Sequence, residues 1–201
     1  MSEFFSDDLA PNRYFDKNFN IDAVKILPGE YFATQDSTLI VTVLGSCVSV
    51  CLRDPITRVA GMNHFLLPAN KDDVNFNSES ARYGSYAMEV LINHLMKLGA
   101  GKQRLEAKVF GGANVLQQLR TNSVGEQNVS FIRDFLATEN IKVQAEDLLG
   151  EYPRKVYFFP LTGEVKVRKL KSLHNTTILE RESEYRKKVN TAPASGDVDL
   201  F

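Results

Sequence analysis

The sequence predicts an α+β fold built mainly from antiparallel β-sheet, with a few helices over one face of a large mixed sheet. Three observations carry the prediction. Short β-branched runs recur along the chain, and two pairs of them double back at turn sequences, Asp54-Pro55-Ile56-Thr57 and Thr162-Gly163, which demands antiparallel pairing. Residues 80–98 carry the clearest helical period. The chain has 201 residues, 43% apolar and 24% charged, enough for one sizeable core rather than two.

The elements follow in order. Residues 1–20 read as a flexible N-terminal arm, with Phe4, Phe5, Tyr14, Phe15 and Phe19 available to pin part of it. A strand over VKIL reaches a Pro28-Gly29 turn and resumes through Tyr31 and Phe32. The run TLIVTV, residues 38–43, ends at LGSC. CVSVCLR and RVAGMNHFLL then form a hairpin. On the helix, Tyr83, Tyr86, Ala87, Val90, Leu91, Leu95 and Leu98 share a face, and Gly99 ends it. A strand at 105–110 runs into GGA, and helices are expected around 114–120 and 128–139. A strand at 141–146 and a hairpin of 155–161 with 164–170 close a single domain spanning 21–175. Residues 176–201 read as a charged tail, helical near 177–189 and disordered at its end.

Bulk properties remove several functions. Lys and Arg total 24 against 25 Asp and Glu, so no global field draws in nucleic acid or an anionic membrane. No apolar stretch is long enough to span a bilayer, and the acidic MSEFFSDDLAPNR is unlike a signal peptide. Cys47 and Cys51, four apart on a strand, lie about 13 Å apart, too far for a disulfide. A cytoplasmic protein without membrane insertion is expected.

Cys47 is the candidate nucleophile. A thiol attacks as thiolate and needs a base nearby, and the histidines are His64, His94 and His174. With Pro55 and Ile56 at the hairpin tip, Asp54 opposes Thr57, and counting back sets Cys47 opposite His64, at a Cβ separation of about 5 Å. A bulge or longer loop would break that register. Gly45 and Ser46, just ahead of the cysteine, are placed to offer backbone N–H groups to an oxyanion. The bland alternative is an inert cysteine in an apolar strand. A metal site of Cys47, Cys51 and His64 lacks a fourth ligand, so Cys51 is better read as core. His94 reads as a boundary histidine and His174 as exposed. FGGA, residues 110–113, fits either a close backbone approach, of a substrate segment for instance, or plain tight packing, and it lacks the rest of a phosphate loop. Residues 164–188 hold eight basic and four acidic side chains, by default a solvated surface.

Taken in order, VKILPGEYF, TVLGSCVSVCLRDP, GMNHFLLP, ARYGSYAMEVLIN, KVFGGANVL, VGEQN and RKVYFFPLTGEV resemble the chemoreceptor glutamine deamidase family, CheD, over nearly the whole folded length. The resemblance implies a layered α-β-β fold similar to bacterial toxin-type cysteine deamidases. It implies deamidation of glutamine side chains on the cytoplasmic helices of methyl-accepting chemotaxis receptors, with Cys47 as nucleophile and His64 as general base. A threonine six residues before the cysteine is implied to orient the histidine. That position is Val41, and Thr42 follows, so Thr42 takes the role although alternation turns it to the side opposite Val41. Leu149 before Gly150 is a second departure, where a Gly-Gly pair is usual. Gly45, Ser46, Asn63, Gly111 and Gly112 complete the expected substrate and oxyanion set. No cofactor or metal is expected. A CheC-type phosphatase is an implied further partner. The competing functions are a mainly regulatory binding partner of such a phosphatase, a receptor glutamyl methylesterase, and an unrelated cysteine peptidase.

Overall fold

Two five-stranded sheets stack face to face, and two helices cover the outer side of one of them. The computed structural model describes residues 12–67, 79–114, 124–170, 180, 182–185 and 187. The first sheet has the order β1 (Asn12–Asp16), β2 (Ile21–Lys25), β4 (Leu39–Leu44), β9 (Arg154–Phe159), β10 (Glu164–Lys169). The second has the order β3 (Tyr31–Thr34), β6 (Ala60–Asn63), β5 (Val48–Arg53), β7 (Glu106–Gly111), β8 (Lys142–Leu148). Each contains one parallel pair, β2 with β4 and β7 with β8, and is otherwise antiparallel. The expected single large sheet is therefore two.

Alternation along the strands sorts the core into layers. Val24, Ile40, Leu44, Val156 and Phe158 of the first sheet meet Cys51, Met62, Leu66 and Phe110 of the second. The other side of the second sheet, with Val48, Val50, Leu52, Ala107 and Val109, packs on α1 (Glu79–Lys97) and α2 (Val124–Thr138). The buried stripe of α1 is Ala81, Met88, Leu91, Ile92 and Leu95. This stripe is rotated in part from the expected face, since Tyr86 is 66% exposed. Gly99, at φ +101°, ends the helix as expected, its neighbour Ala100 donating back to the Leu95 carbonyl at 3.0 Å.

Residues 12–16, expected in the arm, form β1 against β2. Phe19 follows and packs edge-on against Tyr157 and Phe159 on the outer side of the first sheet, whereas Tyr14 and Phe15 are exposed and Phe4 and Phe5 lie outside the described residues. The expected helix at 114–120 (Asn114 apart), His174 and the final twelve residues lie outside the described residues. Among the described residues, no helix is long and apolar enough to cross a membrane.

The hairpin register differs from the expected one. Cys51 pairs with Met62 and Val48 with Phe65, so Cys47 aligns with Leu66, and His64 with Ser49. The reason is a loop two residues longer than assumed. Asp54 N–H bonds to the Val59 carbonyl at 2.9 Å and Arg58 N–H to that of Asp54 at 2.8 Å, with Arg58 in the left-handed region at φ +63°. The Asp54 carboxylate accepts from Ile56 N–H at 2.9 Å and braces the turn. A shift of two preserves side-chain direction. Cys47 and His64 thus stay on one face as diagonal neighbours, a spacing of about 7 Å that side chains can span.

Candidate active site

His64 is held by its main chain before its ring is considered. Pro28-Gly29 makes a turn closed by Glu30 N–H on the Leu27 carbonyl at 3.0 Å, with Gly29 at φ +86° as a type II turn requires. That turn grips His64 twice. Gly29 N–H donates to its carbonyl at 2.7 Å, and its N–H donates to the Glu30 carbonyl at 2.9 Å.

The ring is oriented from the opposite sheet. On β4, Ile40 and Leu44 point between the sheets while Leu39 and Val41 join the outer cluster, so Thr42 points inward and Val41 away. Thr42 Oγ1 lies 2.8 Å from His64 Nδ1 and donates to the Ile26 carbonyl at 2.9 Å. A hydroxyl has one proton, and Ile26 receives it, so Oγ1 accepts from Nδ1–H. The lone pair of the neutral ring is then on Nε2, which is buried without a hydrogen-bond partner among the described residues. Burial pushes the His64 pKa down to about 4, opposed by the charge of Glu182 and by the Ile26 backbone. The imidazole is therefore neutral at neutral pH, as a base must be.

Cys47 follows β4 in the turn Gly45-Ser46-Cys47, whose three carbonyls are drawn back into the body. The Gly45 carbonyl accepts from Ala113 N–H and that of Cys47 from Gly112 N–H, both at 2.8 Å. The Ser46 carbonyl accepts from Asn128 Nδ2 on α2 at 2.8 Å, while Asn128 Oδ1 takes Leu67 N–H at 2.9 Å. The three N–H groups of the turn converge instead on one carboxylate, that of Glu182. Gly45 N–H donates to Oε1 at 3.0 Å, Cys47 N–H to Oε1 at 3.3 Å, and Ser46 N–H to Oε2 at 3.2 Å. The Ser46 hydroxyl adds a bond to Oε2 at 2.6 Å. His64 and Glu182 line one narrow cleft with Lys25, Ile26, Leu27, Pro28 and Val43.

The remaining expected residues divide. Gly45 and Ser46 are in the anion pocket. Gly111 and Gly112 instead lie behind the cysteine. At Gly111, φ is +117° and a Cβ would collide with the Cys47 carbonyl oxygen; at Gly112 it would press on Val129. Of the two readings of FGGA, close packing is what this geometry displays. Asn63 points to the helical layer, its Oδ1 accepting from Val50 N–H at 3.0 Å and its Nδ2 donating to the Ala87 carbonyl at 3.2 Å. It ties β6 to α1, because odd positions of that strand face the helices. Cys51 is buried between the sheets, where burial drives its thiol well above the usual range despite Lys108. His94 packs edge-on against Tyr31 at the helix boundary. Leu149 adopts φ +63°, the left-handed conformation for which a glycine is better suited.

Sequence reasoning missed Asn128, Tyr83 and Glu182. Asn128 had a signal, being a polar residue on the apolar side of α2 beside Val129 and Ile132. Tyr83 reads in the sequence as a packing residue, yet its hydroxyl hydrogen-bonds that of Tyr185, and burial with the nearby Cys47 pushes its pKa up to about 12. Glu182 gave no signal, lying in a charged run more than 130 residues from the turn it enters.

The described residues thus hold a buried thiol, an imidazole set by a threonine, and three backbone donors gathered on one carboxylate. A family model described as CheD chemotactic sensory transduction matches residues 66–169. The probable chemoreceptor glutamine deamidase CheD 1 of Shewanella oneidensis is 62% identical over 95% of this chain and 93% of its own length. The probable chemoreceptor glutamine deamidase CheD of Methylobacillus flagellatus is 55% identical over the whole of both chains. The chain belongs to the CheD family. A crystal structure of Bacillus licheniformis hypothetical protein YfiH superposes with a TM-score of 0.41 and 11% identity over 60% of this chain and 51% of that one, too slight to bear on function.

Proposed function

We propose that this chain deamidates glutamine side chains of chemoreceptors to glutamate through Cys47, with His64 as general base and Thr42 as the residue that orients it. The observation that carries this reading is the tautomer imposed by the Thr42–His64 contact, which leaves Nε2 as the ring's unpartnered acceptor, in a cleft that Glu182 also lines.

His64 Nε2 takes the thiol proton and the Cys47 sulfur attacks the amide carbon of the glutamine. The amide oxygen becomes an oxyanion held by N–H groups of Gly45, Ser46 and Cys47. Protonated His64 gives its proton to the departing nitrogen, ammonia leaves, and a thioester remains. His64 then removes a proton from water, which attacks the thioester. Glutamate is released and the thiol restored. Each turnover adds one negative charge to a receptor helix.

The same reading makes the layered arrangement akin to that of toxin-type cysteine deamidases and places the protein in the cytoplasm, where the receptor helices lie. It admits a CheC-type phosphatase as a partner docking over the pocket, and some hydrolysis of glutamyl methyl esters, which the same attack would achieve. The test is mass spectrometry of a receptor signalling fragment incubated with the wild-type protein or with Cys47→Ala. Glutamine-to-glutamate conversion by the wild type alone is expected. Equal conversion by both proteins would refute Cys47 as the nucleophile, none by either would refute the deamidase reading, and main-chain cleavage would indicate a peptidase.

A further inference from the structure

We propose that Glu182 is an internal product mimic: the chain's own C-terminal segment occupies the acyl pocket with the side chain that deamidation generates, and a receptor helix must displace it to be modified. The inference rests on the function proposed above and adds the regulation of the same site.

Four observations converge. First, the chemistry of the contact is that of a bound product. Two carboxylate oxygens accept four hydrogen bonds, three from consecutive backbone N–H groups and one from the Ser46 hydroxyl, in the place where the mechanism needs donors for the substrate's oxygen. Second, Gly45 has room for this guest and for little else. Its φ is not in the left-handed region, so the backbone alone does not demand glycine. The three atoms nearest a Cβ built there all belong to the Glu182 carboxylate, at 2.8 and 3.2 Å. Third, the reacting groups are closed off in the state that holds this contact. Cys47 is 0% and His64 2% exposed, and Glu182 lines the cleft beside His64. Fourth, the carboxylate is presented as a receptor would present it. Residues 182–185 are helical, and Tyr185, one turn from Glu182, reaches the Tyr83 hydroxyl and lies over Gly29, where a Cβ would sit 2.5 Å from the Tyr185 hydroxyl.

Glutamate suits a resident better than a substrate. A carboxylate offers oxygen acceptors to every donor in the pocket, whereas an amide offers one oxygen and an NH2 group that can only donate. Glutamate is also inert to the attack that glutamine would undergo, so the segment blocks the site without being consumed. The substitution Glu182→Gln would convert the mimic into a substrate in cis: Cys47 attacks the amide carbon of the introduced side chain, ammonia leaves, and water hydrolyses the thioester to restore glutamate.

The test uses the full chain and three readouts. Peptide mass spectrometry of Glu182→Gln should find glutamate at position 182, and glutamine should persist there in the double variant that also carries Cys47→Ala. Glu182→Ala and Tyr185→Ala should lower KM for a receptor fragment roughly tenfold while leaving kcat within about twofold, since removing a competing occupant raises the competent fraction. Alkylation of Cys47 by iodoacetamide should quicken in both variants. If wild-type protein deamidates the fragment but the introduced glutamine persists in Glu182→Gln and KM is unchanged, the product-mimic proposal is overturned and the deamidase function stands. If alkylation quickens but nothing is deamidated, the segment covers the thiol and it is the function that fails, taking the product analogy with it.

Discussion

Thr42 on one sheet and His64 at the end of a strand of the other meet across the interior, Oγ1 to Nδ1 at 2.8 Å, with the threonine proton held by the Ile26 carbonyl at 2.9 Å. This contact decides which ring nitrogen can accept a proton.

Thr42→Val keeps the shape and removes the acceptor. His64 Nδ1–H is then buried without it, and the ring no longer has a reason to keep Nε2 unprotonated. The expected outcome is a loss of about 100-fold in kcat, in the range of a misdirected general base, whereas Thr42→Ser keeps most activity. Steady-state kinetics on a receptor fragment distinguish the two.

The depressed pKa of His64 also makes stability depend on pH. The unfolded ring titrates near 6.5, the folded one near 4, so between these values the unfolded chain binds more protons. The contribution of the neutral ring is complete above pH 6.5 and is lost as pH falls through about 4, at a slope of at most about 1.4 kcal/mol per pH unit. Urea unfolding of the wild type and of His64→Gln across this window should differ by that slope. Parallel curves would contradict a buried neutral histidine.

Asn128→Ala should weaken both fold and catalysis. It strips the Ser46 carbonyl and Leu67 N–H of their shared partner. At about 1–3 kcal/mol for each of the two buried groups left unsatisfied, a loss of about 2–6 kcal/mol is expected. The cysteine turn loses one of its three anchors, so kcat/KM should fall even at temperatures where the variant is fully folded. Chemical denaturation and kinetics measured together check both halves.

Gly111→Ala is expected to be worse tolerated than Gly45→Ala. At Gly111 the methyl would fall on a fixed backbone oxygen at a positive φ, so β5 and the cysteine must shift. At Gly45 its nearest neighbour is the far end of a side chain, the Glu182 carboxylate, rather than backbone. Melting temperatures should show a large drop for the first and a small one for the second.

Much of this is readable in the sequence for local reasons. The strands, the long helix ending at Gly99 and the Pro28-Gly29 turn follow from alternation, periodicity and the residues that tolerate positive φ. The thiol and imidazole can be paired because side-chain direction survives an error of two in register. The error itself comes from Arg58, whose left-handed conformation lengthens the loop, and no local rule demands it there. Thr42 could be preferred to Val41 only through the family resemblance, and it took the facing sheet to give alternation its meaning: inward was the productive direction.

By itself, the sequence determined the family, the alternating strands and the likeness of its cysteine and histidine segments to a deamidase. Those are properties of neighbouring residues. Only the tertiary structure decided that Asn63 faces the helices, that Gly111 and Gly112 back the cysteine, and that Glu182 enters the pocket. These depend on which groups from distant segments come within hydrogen-bond range, and a carboxylate finds three converging N–H groups only after the chain has folded around them.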